Sequence, residues 1–381
     1  MFRSVKTLLR LDPFLVMLIA VVGTASLLPA RGVAASVVDM LADLAIALLF
    51  FLHGAKLSRA AIVQGIGNWR LHTLTLGSTY VLFPAVGLSL VWFATGWVNP
   101  LLLSGLLYLT LLPSTVQSSI AFTAMARGNV AAAVCSASLS NLAGIFLTPL
   151  LVALFMKVQG GGAGSAWHSA GSIALQLLAP FLAGHFLRPW IGNFIDRNKK
   201  LLQPVDRGSI LLVVYSAFSA AVVNGIWTRV HGSDLLILLA LSMVVLAIIM
   251  TMNVIAARLV NLPREDAIML LFCGSKKSLV SGVPMAGALF LPAQVGLIVL
   301  PLMVFHQLQL FVCAGLAGRF RRQAEERDRL VAGTNIPRTE SEIVRVAATF
   351  GMVVPAACMA GVATNLALLD GHADTLKATT P

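Results

Sequence analysis

The sequence predicts an all-α membrane protein with ten transmembrane helices, arranged as two inverted repeats of five helices. Charged residues make up only 11% of its 381 residues, whereas a soluble domain carries roughly 25%. The mean hydropathy of +0.89 indicates a surface that faces lipid rather than water. Because a spanning helix needs about 20 apolar residues, this length accommodates on the order of ten spans.

Ten apolar segments can be drawn along the chain, and proline is tolerated inside them because neighbouring helices satisfy the freed backbone groups. The first segment follows a short basic stretch, so a cleaved signal peptide is an alternative to a first span. The segments cover residues 12–30, 37–57, 70–95, 101–126, 129–156, 170–188, 207–228, 234–257, 266–290 and 293–318.

Basic residues are concentrated in every second gap between these segments. Only Arg31, Lys157 and Arg229 lie in one set of gaps, whereas nineteen basic residues lie in the other set. Positive charge favours the cytoplasmic side, so both termini are predicted to be cytoplasmic, in the plasma membrane or bacterial inner membrane. The net charge of +12 needs no nucleic-acid partner as its explanation. The nineteen are Arg3, Lys6, Arg10, Lys56, Arg59, Arg70, Arg127, Arg188, Arg197, Lys199, Lys200, Arg207, Arg258, Arg264, Arg319, Arg321, Arg322, Arg327 and Arg329.

The fourth and ninth segments resemble each other in having a polar cluster in the middle. Residues 111–120 read LLPSTVQSSI, and residues 270–279 read LLFCGSKKSL. Each is the fourth segment of a five-segment half, and because five is odd the two halves enter the membrane in opposite orientations. Polar interruptions at matching places of inverted repeats are typical of a transporter binding site.

The chain is accordingly divided into three parts. Residues 1–160 form the first repeat, residues 161–322 the second, and residues 323–381 a cytoplasmic tail. Within the tail, residues 343–369 are apolar again, and we expect either an eleventh, apolar membrane-spanning helix or a poorly ordered or amphipathic tail.

Several motifs carry a resemblance to a known family. They read LDPF at 11–14, LFFLHGAKLS at 49–58, ARGNV at 126–130, LTPL at 147–150 and FCGSKKS at 272–278. With these motifs the chain resembles the bile acid:sodium symporter superfamily, and it looks closest to a divergent bacterial branch related to the seventh human member. The resemblance covers roughly residues 8–322.

The resemblance implies a panel domain of helices 1, 2, 6 and 7 that faces a core domain of helices 3–5 and 8–10. Helices 4 and 9 would be broken and would cross near mid-membrane. The implied function is secondary active transport, the symport of an organic anion by alternating access. A non-transporting regulatory or scaffold protein of the same fold is the alternative.

The coupling ion is expected to be sodium or a proton. Sodium-coupled members of the superfamily have a carboxylate and a Gln-Asn pair around the helix 9 break. This chain has GSKKS at 274–278, so the sodium ligands do not carry over as a set. A lysine that loses its proton during the cycle would instead give proton coupling.

Lys276 and Lys277 are the most informative pair, because a lysine at mid-helix in lipid normally faces a cavity or a partner. One ammonium would take the place of sodium's charge, or it would contact an anionic substrate. The alternative without a functional role is that both side chains extend to the membrane interface.

The candidate substrate or ion site combines the polar residues of the fourth and ninth segments with weaker candidates on neighbouring segments. No catalytic residue or cofactor is predicted, because the sequence lacks H-E-x-x-H and a convincing Asp pair or Ser–His constellation. The main candidates are Ser114, Thr115, Gln117, Ser118, Ser119, Ser275, Lys276, Lys277 and Ser278. The weaker candidates are Asn129, Ser136, Ser140 and Asn141 on the fifth segment and His306, Gln307 and Gln309 on the tenth.

Overall fold

A computed structural model describes residues 13–56, 68–156, 163–225, 228, 230–332, 337 and 339–378. Helices form all the regular secondary structure within these ranges, as the sequence predicts. In the same ranges, six helices are long and apolar enough to cross a membrane by length and composition. Part of the charge pattern, namely Arg3, Lys6, Arg10, Arg59, Lys157 and Arg229, lies outside the described residues.

The helices follow the predicted segments, and the fourth and ninth segments each consist of two short helices. Their bounds are α1 Pro13–Leu27, α2 Val33–Lys56, α3 Trp69–Ala94, α4a Pro100–Thr110, α4b Gln117–Met125, α5 Val130–Phe155, α6 Ala163–Arg197, α7 Lys199–Val223, α8 Gly232–Leu259, α9a Arg264–Gly274, α9b Leu279–Leu289, α10 Pro292–Ala332, α11 Glu340–Thr349 and α12 Ala356–Ala378. A π-helical turn interrupts α3 at Ser78–Leu82. With 35 and 41 residues, α6 and α10 extend well beyond the predicted segments.

The chain forms two compact units, Met1–Ala317 and Gly318–Pro381. The second unit contains α11, which begins at a capping box formed by Thr339 and Glu342. Its apolar stretch is divided between α11 and α12 rather than forming one helix over residues 343–369. Neither of these two helices belongs to the six that have the length and composition of a span.

Close packing of α2 against α6 depends on two glycines. A Cβ added to Gly54 would lie 1.9 Å from the carbonyl oxygen of Phe181, and one added to Gly184 would lie 2.0 Å from that of Phe51. Small residues let helix backbones approach each other in membranes, where packing rather than hydrophobicity drives association. α7 packs on both α1 and α2 and completes this group of four helices.

A second group of helices surrounds α9a, which contacts α3, α4b, α5 and α8. A buried apolar cluster joins these helices and includes Leu71, Ala133, Ala257, Met269 and Leu270. The other half of the ninth segment, α9b, contacts α2, α6 and α7 instead. The interruption between α9a and α9b therefore turns the two halves of one segment toward different groups of helices.

We predict that Gly54→Ala lowers the unfolding temperature of the purified protein in detergent, because the added methyl group must push the α6 backbone away. Overpacking of this kind costs roughly 1–3 kcal/mol. Gly208→Ala on α7 is the control, since a Cβ there meets nothing within 4 Å. Equal unfolding temperatures for the two variants would contradict the close approach of α2 and α6.

Candidate functional site

The fourth and ninth segments are both interrupted, and we call residues 111–116 the first break and residues 275–278 the second break. α4a ends at Thr110 and α4b begins at Gln117. Pro113 favours this break, because it has no backbone N–H and disfavours a helical conformation of the residue before it. In the second break, Ser278 caps α9b by accepting a 3.1 Å hydrogen bond from the backbone N–H of Ser281.

The two breaks meet and satisfy each other's backbone, and together we call them the crossing. The backbone N–H of Ser278 donates to the carbonyl oxygen of Pro113 at 2.9 Å. In the opposite direction, the Ser114 hydroxyl donates to the carbonyl oxygen of Cys273 at 2.5 Å. The Ser119 hydroxyl donates to that of Phe272 at 3.3 Å. Carbonyl groups freed by each interruption thus find donors on the other segment, as a water-free environment requires.

α5 supports the first break with two adjacent polar residues. Ser140 accepts a 3.0 Å hydrogen bond from the backbone N–H of Ser114, and Asn141 donates to the carbonyl oxygen of Ser114 at 2.9 Å. The same Asn141 side chain accepts from the hydroxyl of Ser281 at 2.8 Å, so it joins the first break to the first turn of α9b. The structure therefore brings these two weaker candidates into the crossing.

Lys277 is fully buried, and its ammonium is held by backbone carbonyl groups. Nζ lies 2.8 Å from the carbonyl oxygens of Thr79 and Thr110 and 2.6 Å from that of Leu112. We call these three oxygens the carbonyl cage. On another side, Nζ lies 4.1 Å from the ring centre of Phe83, within the range of a cation–π interaction.

The carbonyl group of Thr79 is free for Lys277 because of the π-helical turn in α3. The backbone N–H of Phe83 bonds to Ser78 rather than to Thr79. A π-helical partner for Thr79 would be residue 84, but Pro84 has no N–H. π-Helical turns of this kind are frequent at functional sites. Sequence analysis did not identify Thr79, although Pro84 within a helical segment was a visible signal.

Gln309 holds the backbone of Lys277 on both sides. Its Oε1 accepts from the N–H of Lys277 at 2.8 Å, and its Nε2 donates to the carbonyl oxygen of Lys277 at 2.9 Å. The His306 ring lies next to this amide, with 2.8 Å between its Nδ1 and Nε2 of Gln309. Gln307, two residues earlier on α10, is only partly buried. Gln309 is thus the glutamine of α10 that contacts the crossing.

Lys276 is fully buried as well, but its surroundings differ from those of Lys277. Its Nζ donates one hydrogen bond of 3.2 Å to the hydroxyl of Ser118. The same ammonium lies 4.5 Å from the ring centre of Phe122 and 6.0 Å from that of Phe272. Ser118 is partly exposed, so only its side chain separates the Lys276 ammonium from the exposed edge of the crossing.

Of the remaining main candidates, Thr115 and Ser275 also lie at the crossing. The Thr115 hydroxyl is 2.9 Å from that of Ser118 and 2.8 Å from that of Ser119. The Ser275 hydroxyl accepts a 2.9 Å hydrogen bond from the amide of Asn253 on α8, a residue that sequence analysis missed. Among the described residues, no carboxylate bonds to either lysine of the crossing.

Three candidate residues have other surroundings. Gln117 is exposed at the start of α4b. Asn129 caps α5 through the N–H of Ala132 and donates to Asp266 at 2.8 Å. Ser136 lies 2.6 Å from Nδ1 of His72. Asn129 and Ser136 therefore belong to polar contacts of α5 with α9a and α3 rather than to the bonds between the two breaks.

Comparisons with known proteins match residues 12–322 to the SBF-like CPA transporter family. The chain is 56% identical to "Putative symporter YfeH" of Escherichia coli (strain K12) over 316 residues. This aligned region covers 83% of this chain and 95% of that protein. The chain is 53% identical over 315 residues to "Uncharacterized protein PA2026" of Pseudomonas aeruginosa, covering 83% and 94%. "Sodium/bile acid cotransporter 7" of Mus musculus is 26% identical over 310 residues, covering 80% and 90%. The predicted resemblance is confirmed, and the chain is a multi-pass membrane protein.

We predict that Gln309→Ala lowers the unfolding temperature in detergent more than Gln307→Ala does. The first variant removes the amide that hydrogen-bonds to the buried N–H and the buried carbonyl group of Lys277. Each buried polar group left without a hydrogen bond lowers the stability by roughly 1–3 kcal/mol. Gln307 makes no side-chain hydrogen bond within the described part of the chain. Equal losses in the two variants would contradict the place of Gln309 at the crossing.

Proposed function

Because this chain belongs to the SBF-like CPA transporter family, we propose that it is a secondary active transporter that moves an organic anion across the membrane by alternating access. The observation that carries this proposal is the pair of fully buried lysines where two interrupted helices meet. A buried ammonium without a carboxylate partner leaves a positive potential that favours an anionic ligand. The crossing is therefore the proposed binding site.

The proposed architecture is ten transmembrane helices in two inverted five-helix repeats. Two contacts at the same sequence offset support it. The hydroxyl of Ser119 donates to the carbonyl oxygen of Phe272, and the backbone N–H of Ser278 donates to that of Pro113. Ser278 and Ser119 are separated by 159 positions, and so are Phe272 and Pro113. A symmetric pair of contacts at one sequence spacing is what a pseudo-two-fold axis between repeats produces.

Alternating access requires two bodies that can move against each other, and we propose the panel and core for this role. The panel comprises α1, α2, α6 and α7, which pack on one another. Gly287 of α9b faces Ile46 and Val213 of the panel, and Gly296 of α10 faces Ala217 and Ala221. Contacts between small and aliphatic side chains involve few hydrogen bonds, so they can separate and reform during a transport cycle.

Lys276 is the proposed contact for the anionic group of the substrate. An ammonium has three N–H donors, and in the structure one of them bonds to the hydroxyl of Ser118. The partly exposed Ser118 side chain lies between this ammonium and the surface of α4b. A carboxylate or sulfate group that displaced the weak 3.2 Å bond to Ser118 would gain a charge-assisted hydrogen bond.

The proposed orientation puts both termini in the cytoplasm and the protein in the inner or plasma membrane, following the distribution of Lys and Arg between the gaps. A sodium ion or a proton is the proposed coupling ion. The relatives named as symporters and cotransporters support gradient-driven transport. The absence of Asp and Glu from residues 270–289 favours the proton over a sodium site with carboxylate ligands.

We predict that Lys276→Met weakens substrate binding and lowers uptake at subsaturating substrate concentrations. A screen of organic anions by thermal shift of the purified protein identifies the ligand, and uptake into proteoliposomes under a proton or sodium gradient then measures transport. The expected loss of affinity for the variant is about tenfold to a hundredfold, the worth of one charge-assisted hydrogen bond. Lys276→Arg is expected to retain part of the binding because it keeps the charge.

Lys199→Met is the control for this experiment, since it removes a lysine from the first residue of α7. It should leave uptake unchanged. Full uptake by Lys276→Met would eliminate the proposed anion contact. If no anion binds or is transported by the wild-type protein under either gradient, the alternative of a non-transporting protein of the same fold gains support instead.

A further inference from the structure

We propose that Lys277 is a built-in cation of the crossing: its ammonium permanently fills the carbonyl cage, so that this position needs no free inorganic cation. The inference rests on the proposed function only for its consequence in transport. Its structural half concerns an ammonium and three backbone oxygens, and it is testable without any substrate.

The geometry of the carbonyl cage fixes the charge of Lys277. Three carbonyl oxygens lie within 2.6–2.8 Å of Nζ, and a carbonyl oxygen only accepts hydrogen bonds. A neutral amine has two N–H groups, so it leaves one of the three oxygens facing a lone pair. An ammonium has three N–H groups and satisfies all three oxygens. The arrangement is therefore that of a charged lysine.

The carbonyl cage exists because three peptide groups have lost their helical partners. α4a ends at Thr110, and the N–H of Ser114 that would continue the helix bonds to Ser140. Leu112 lies within the first break, and Thr79 is freed by the π-helical turn. Convergent carbonyl oxygens at the negative end of a helix are the ligands that hard cations prefer. These three oxygens belong to the backbone, so a substitution at position 277 does not remove them.

Lys277 is held at both ends, which makes its ammonium a fixed part of the site. Gln309 bonds to the backbone N–H and carbonyl group of Lys277, and the carbonyl cage holds Nζ. The face of the Phe83 ring covers the ammonium 4.1 Å from its centre. Lys276, equally buried, has one hydroxyl partner instead. The neighbouring lysines thus have different roles, and only Lys277 has the coordination of a bound cation.

The first experiment asks whether a free amine can replace the Lys277 side chain. Lys277→Ala removes the ammonium and leaves the cage oxygens unsatisfied, which is expected to lower the unfolding temperature by roughly 5–10 °C. Adding propylammonium chloride should raise the unfolding temperature of this variant with the logarithm of the amine concentration, as a ligand of the folded state does. Propan-1-ol and tetramethylammonium, which lack either the charge or the N–H donors, should not.

Lys276→Ala is the matched control, because it removes an equally buried lysine that has no carbonyl cage. Propylammonium should leave its unfolding temperature unchanged. An equal response of the two variants to propylammonium, or no response of Lys277→Ala at any concentration below that which denatures the wild type, would overturn the proposal.

The second experiment uses the wild-type protein and decides the matter even if Lys277→Ala does not accumulate. Its unfolding temperature is measured while propylammonium chloride replaces tetramethylammonium chloride at constant ionic strength. No saturable change is expected, because the carbonyl cage is already full. A saturable rise with propylammonium would overturn the proposal. A failure of all anion uptake, by contrast, would count against the proposed function and leave these two unfolding results standing.

Discussion

The structure depends on one constraint: backbone carbonyl groups freed by two helix breaks must be satisfied without water. The first break shows how this is met, because the carbonyl groups of residues 111–114 receive donors from outside the fourth segment. Thr148 of α5 donates to the carbonyl oxygen of Leu111, and Ser278 donates to that of Pro113. The ammonium of Lys277 donates to the carbonyl oxygens of Thr110 and Leu112. No helix of the crossing could keep its break in lipid alone.

This mutual dependence explains why the two interruptions occur together. The donors to the last carbonyl groups of α9a come from the first break and from α3, since the Ser114 hydroxyl donates to Cys273 and the Ser78 hydroxyl donates to Gly274. A break formed on one segment would expose unpaired carbonyl groups until the other segment had arrived. The crossing therefore forms as a unit, and α3, α5, α8 and α10 are fixed around it by the hydrogen bonds that they supply.

Sequence reasoning located the crossing because its signal is local: polar residues and lysines in the middle of apolar segments can be recognised without knowing their neighbours. The same reasoning could not distinguish Gln307 from Gln309, since both lie in the same apolar segment and only the packing decides which one reaches Lys277. Asn253 was missed because a single amide in an apolar helix has no pattern. Asn129 and Ser136 were grouped with the crossing because they lie on the same segment as Ser140. Their hydrogen bonds are instead to Asp266 and His72.

The unequal surroundings of the two lysines also bear on why both are present. Carbonyl dipoles solvate the ammonium of Lys277 as water would, so its charge is stabilised without a counter-ion. Lys276 has one hydroxyl and two aromatic faces, which compensate a buried charge less well. An anion that approached the crossing would therefore gain more from Lys276 than from Lys277. In the proposed transport cycle, a cation built into the chain would maintain the positive potential of the site throughout, whereas a free ion would have to be bound and released with each substrate.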